Sequence, residues 1–189
     1  MKAKYIPNIL SVIRIILAFV FAAIFIWWYP DGAVWAAVIF VIAGISDVVD
    51  GILARRFGWI TNAGKILDPV ADKLMQCISL ICLVARDVLP LWILLVVIIK
   101  ELMMGCGAII LFKKSHEIGV AKHFGKAYTV LFYAVVFLFL IAGESISENT
   151  IATFLLCAMM AVAGVGALVL YYISYLKNKM KRTEKGENH

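Results

Sequence analysis

Four of the twelve acidic residues fall in two pairs, Asp47 with Asp50 and Asp68 with Asp72. Residues three or four apart project from one face of a helix, so each pair sets two carboxylates side by side. Between the pairs, Gly58, Asn62 and Gly64 permit a tight turn that would make the two helices antiparallel neighbours and bring the pairs face to face. Four like charges gathered this way repel unless a cation neutralises them. Hard oxygen donors suit Mg²⁺, Mn²⁺ or Ca²⁺, and Mg²⁺ is commonly shared between a few carboxylates and substrate phosphates. Arg55, beyond Asp50, adds a cation suited to a phosphate.

The elements that must hold these residues are helices in lipid. Of 189 residues, 64% are apolar, well above the usual share for a soluble domain. This excludes a soluble single-domain enzyme. Apolar stretches cover 9–28, 33–49, 68–85, 90–112, 127–142 and 150–175. Lengths near the ~20 residues that cross a bilayer predict helices, because lipid leaves backbone polar groups unsatisfied in any open form. The two-residue alternation of a membrane barrel is absent. The chain is therefore read as an all-α integral membrane protein of six transmembrane helices over 1–176, with a basic tail at 177–189. The first stretch is too long for a signal-peptide core and is kept as a mature helix.

The formal charge of +6 reports topology, not nucleic acid. Lys2, Lys4 and Arg14 mark the N-terminus, Arg55, Arg56, Lys65 and Lys73 the second connection, and Lys113, Lys114, Lys122 and Lys126 the fourth. The tail carries five more cations, whereas the first and fifth connections carry none. Both termini and the even connections are thus expected in the cytoplasm, with the carboxylate pairs at that face and Lys100 and Glu101 near the middle of span four. A phosphate-bearing headgroup could then be bound while its tail stays in the bilayer. Intramembrane carboxylates also mark ion pathways, so a cation-coupled transporter is the alternative from another class. Cys77, Cys82, Cys106 and Cys157 sit within spans without metal spacing and read as packing residues.

Residues 47–72 read DVVDGILARRFGWITNAGKILDPVAD and match D-x-x-D-G-x-x-A-R-x8-G-x-x-x-D-x-x-x-D at all eight fixed positions. This segment resembles the signature of the CDP-alcohol phosphatidyltransferases, a family whose architecture is also a six-helix bundle with cytoplasmic termini. The resemblance implies that Asp47, Asp50, Asp68 and Asp72 hold two divalent ions, Mg²⁺ or Mn²⁺, and that Asp72 also acts as catalytic base. It implies that Gly51, Arg55 and Thr61 contact the CDP part of CDP-diacylglycerol, joined by Asn8 and Ser11 at the start of the first helix, where Asn8 could equally be an N-cap. Gly51, Ala54 and Gly64, on or near the carboxylate faces, leave room for the nucleotide.

The N-terminal IPNILSVIRIILAF and LDPVADKL at 67–74 resemble most the members whose acceptor is sn-glycerol 3-phosphate. Lys73, Lys100 and Lys126 are the candidates for the acceptor phosphate. Those members typically carry Arg-Glu where this chain has Lys100–Glu101, and a second basic residue where it has Tyr128. Members that take phosphatidylglycerol to form cardiolipin are therefore the nearest rival. The resemblance further implies phospholipid biosynthesis at a bacterial plasma membrane by a homodimer.

Overall fold

The computed structural model describes residues 6–59, 64–114 and 121–184, excepting the side chains of 6–7, 54–55, 65–66, 105–114, 121–126, 144, 171 and 174–184. The described residues form helices and short turns: α1 (Ile6–Trp28), α2 (Ala33–Phe57), α3 (Gly64–Ala85), α4 (Leu91–Lys114), α5 (Ala121–Ser147) and α6 (Thr150–Glu184). Among the described residues three helices are long and apolar enough to cross a membrane, over Asn8–Trp28, Ala33–Leu53 and Thr150–Leu170, and α5 holds a shorter apolar run, Ala127–Gly143. The first three turns of α3 carry Asp68, Asp72 and Lys73, which shortens its apolar part. Large apolar side chains point outward along these helices, Trp27 and Trp28 among the most exposed. Such a surface suits lipid.

Residues 1–90 and 136–149 form one compact unit, and 91–135 with 150–189 form another. In the first, α1 buries Ser11, Arg14, Ala18, Phe21 and Phe25, a stripe that alternates steps of three and four residues. The facing stripe of α2 has the same spacing: Ala36, Phe40, Ala43, Asp47 and Asp50. This spacing is that of the seam between two helices packed along their length. Its middle is apolar, with the Phe21 and Phe25 rings stacked at 5.8 Å between centroids and Phe40 6.0 Å from Phe21. Because α1 and α2 run in opposite directions, the polar start of α1 lies against the acidic end of α2.

The turn between them is tight. A Cβ on Gly32 would fall 2.8 Å from the Cβ of Trp28 and 2.9 Å from the carbonyl oxygen of Ile24, so a side chain there would push α1 and α2 apart. At the other end of α2, Gly58 takes the left-handed φ of +66° that stops a helix.

α2 meets α3, as the short connection between them suggests, but only narrowly; α1 packs extensively on both.

In the second unit α4 packs on α6, and the Trp92 and Phe154 rings lie 6.2 Å apart. Gly164 of α6 makes room for α4 and α5: a Cβ there would come 3.0 Å from the Tyr128 ring and 3.2 Å from Cδ of Lys100. The helix α6 runs on through 177–184, where the sequence suggests a separate tail.

Candidate active site

Within the first unit, one turn of α1 collects three of the four aspartates. Arg14 donates from one terminal nitrogen to Oδ1 of Asp47 at 2.7 Å and from the other to Oδ2 of Asp50. Ser11, one turn earlier, donates its hydroxyl to Oδ1 of Asp68. Asp47 and Asp50 come from α2 and Asp68 from α3, so α1 links the two carboxylate helices through its own polar side chains. Like charges also interact across the cluster, Asp47 with Asp68 and Asp72, and Asp50 with Asp68.

Arg14 is fully buried, Asp50 nearly so, and Asp47 about a third exposed. An isolated buried guanidinium is very costly, and breaking such a pair from one side costs about 3–5 kcal/mol. Arg14 is therefore not the topology-marking charge that its place near the N-terminus suggests. It falls within the apolar stretch 9–28, and its partners are carboxylates on the neighbouring helix.

Asp72 is organised from within α3. Gln76, one turn later and fully buried, approaches both carboxylate oxygens through Nε2, at 3.3 and 3.1 Å. Lys73 donates to Oε1 of the same Gln76 at 3.3 Å, and its ammonium lies 3.6 Å from Asp72. The amide is thus oriented on both sides: oxygen toward the lysine, nitrogen toward the carboxylate. Pro69, between the two aspartates, lacks the N–H that would continue the helical ladder to Lys65.

The other candidate residues divide as follows. Asn8 is half-buried within α1, one turn before Ser11, so it is not the cap of that helix. Gly51 is half-buried one turn beyond Asp47, and Gly64 is buried as the first residue of α3. Ala54 and Arg55 lie in the last turns of α2 and Lys126 in α5, but their side chains, like Thr61 as a whole, fall outside the described residues. Lys100 belongs to the other unit. It is buried, ion-paired with Glu101 at 2.5 Å, and lies 3.4 Å from the centre of the Tyr128 ring. Its ammonium is already engaged.

Two residues that organise the site escape the sequence reading, Arg14 and Gln76. Each is a polar side chain inside an apolar helix, and for each the signal is spacing: Arg14 follows Ser11 by three, and Gln76 follows Asp72 by four.

Among the described residues no three His, Cys, Asp or Glu side chains are grouped closely enough to hold a metal ion as they stand. The donor set nevertheless fits a hard divalent cation in chemistry. Four carboxylates against Arg14 and Lys73 leave a formal charge of about −2. Asp47 and Asp50 each give one oxygen to Arg14 and keep the second.

Comparison with known proteins bears on the family of the chain. The family model described as CDP-alcohol phosphatidyltransferase matches residues 4–173. A Streptomyces coelicolor protein named cardiolipin synthase (CMP-forming) is 35% identical over 179 residues, covering 90% of this chain and 80% of that protein. A Bacillus subtilis CDP-diacylglycerol–glycerol-3-phosphate 3-phosphatidyltransferase is 38% identical over 100 residues, 53% of this chain and 51% of that protein. The enzyme of the same name from Cereibacter sphaeroides is 32% identical over 127 residues, 67% of this chain and 53% of that protein. The chain thus matches about half the length of these two relatives.

Proposed function

The chain belongs to the CDP-alcohol phosphatidyltransferase family, and we propose that it transfers the phosphatidyl group of CDP-diacylglycerol to the hydroxyl of sn-glycerol 3-phosphate, releasing CMP. The observation that carries this reading is the convergence of Asp47, Asp50 and Asp68 on Ser11 and Arg14, beside an Asp72 held by Gln76. The transporter reading drew on the intramembrane carboxylates alone and leaves the family match unexplained.

Asp47, Asp50, Asp68 and Asp72 would hold Mg²⁺ or Mn²⁺, two ions in all, which would neutralise the pyrophosphate oxygens and make the bridging oxygen a better leaving group. Arg55, Gly51 and Thr61, with Ala54, Gly64, Asn8 and Ser11, form the cradle for the CDP portion. The acceptor hydroxyl attacks the phosphorus attached to diacylglycerol. A new P–O bond forms as the bond to the bridging oxygen breaks, and CMP departs with the electron pair. Asp72 takes the proton from the hydroxyl. Gln76 keeps that carboxylate aimed, and Lys73 adds a cation for the acceptor phosphate. Lys73 lies beside Asp72 on the same helix and is the anchor this reading favours.

Six spans with both termini in the cytoplasm would put this chemistry at the cytoplasmic interface of a bacterial plasma membrane, with both lipid tails in hydrocarbon throughout and the active protein a homodimer. A second acceptor is favoured by one observation, the 90% coverage of this chain by the match to the Streptomyces cardiolipin synthase. Phosphatidylglycerol offers the same glycerol hydroxyl beside a phosphate. Purified protein given CDP-diacylglycerol and a panel of acceptors decides between them. Phosphatidylglycerophosphate formed with glycerol 3-phosphate supports the first reading; cardiolipin formed from phosphatidylglycerol, with no product from glycerol 3-phosphate, replaces it by the second.

A further inference from the structure

We infer that Arg14 is a positioning residue, an internal counter-ion that holds the α2 carboxylates in the metal-free protein and sets how tightly they bind a divalent cation. The inference rests on the proposed metal reading and deepens it. Its ground is geometric: a fully buried guanidinium spans Asp47 and Asp50, taking one oxygen from each and leaving each its second. Its Nε, also buried, has no hydrogen-bond partner. Among the described residues, the charge partners that hold Arg14 in the protein interior are these two carboxylates.

A guanidinium and a divalent cation draw on the same negative charge. With Arg14 present, the two carboxylates stay folded inward without metal, and the ion binds against the residual charge only. Without it, a buried Asp50 and a part-exposed Asp47 are left uncompensated, so the metal-free protein weakens while its demand for a cation rises. A lysine at this position would keep the charge but lose the fork that spans two carboxylates.

The test uses full-length protein purified in detergent, comparing wild type, Arg14→Met, Arg14→Lys and the double variant Arg14→Met/Asp50→Asn. In EDTA, Arg14→Met should melt well below wild type, and the double variant, with one buried charge removed, should recover part of that loss. With Mn²⁺ as probe, followed by electron paramagnetic resonance, Arg14→Met should bind about tenfold more tightly than wild type, because one repelling charge is gone. Its melting temperature should rise more on adding Mn²⁺. Arg14→Lys should bind Mn²⁺ as wild type does. A purely structural arginine would lower stability equally with and without Mn²⁺ and leave Mn²⁺ affinity unchanged, and that result overturns the inference. If Arg14→Met cannot be purified folded, the double variant and Arg14→Lys carry the test: a double variant no more tractable than Arg14→Met contradicts the counter-ion role. Wild-type protein that binds no Mn²⁺ would instead defeat the metal reading beneath it, while the recovery in EDTA still reports on Arg14.

Discussion

At the scale of single residues, the chemistry depends on how carboxylates are held, and the two helices hold them differently. On α2 a buried arginine from another helix does so; on α3 a serine of α1 holds Asp68, and a buried glutamine one turn away holds Asp72. Asp72→Asn should lower turnover by roughly 10²–10⁴-fold while CDP-diacylglycerol still binds, since the amide keeps the shape but cannot take the proton. Gln76→Leu should give a smaller loss in the same parameter, with donor KM little changed; a Gln76→Leu enzyme with wild-type turnover would show that Asp72 needs no support. The aspartates were legible in the sequence because their spacing is itself the signal. Arg14 was not, because a lone cation near a terminus fits a topology pattern and its partners lie 33 and 36 residues away.

At the scale of elements, the seam between α1 and α2 positions the site. Its apolar half, Ala18, Phe21 and Phe25 against Ala36, Phe40 and Ala43, fixes the register that sets Arg14 between Asp47 and Asp50. Truncating Phe21 to Ala should cost about 3–5 kcal/mol of stability, read as a lower melting temperature in detergent. An unchanged melting temperature would mean that the seam contributes little. The six apolar stretches foretold the six helices, but several run past them: α2 to Phe57 where apolar character ends at 49, α5 from Ala121, α6 to Glu184. Backbone hydrogen bonds set the length of a helix, while hydrocarbon thickness sets only its apolar part. How much each pair of helices packs was not legible either. The α2–α3 contact that their short connection suggested is present but narrow, and α1 lies against both, because the extent of contact follows the stripes of small and apolar side chains and not the length of the loop.

At the scale of the whole molecule, the family is that of a membrane enzyme, and the proposal that it works at its cytoplasmic face rests on the charge distribution. On a cysteine-free background, a cysteine introduced at Asn149 should react with a membrane-impermeant maleimide in intact cells, and one at Glu187 only after permeabilisation. The reverse pattern would invert the topology and move the site to the other side of the membrane. The central claim is that the carboxylate cluster performs a cation-dependent phosphatidyl transfer. It is tested most directly by CMP release from CDP-diacylglycerol and glycerol 3-phosphate in mixed micelles, measured for wild type and Asp68→Asn with Mg²⁺ or Mn²⁺ and again with EDTA. CMP and lipid product should form in equal amounts from wild type only when the cation is present, and none from Asp68→Asn. CMP release that persists in EDTA, or that survives the loss of Asp68, would contradict that claim.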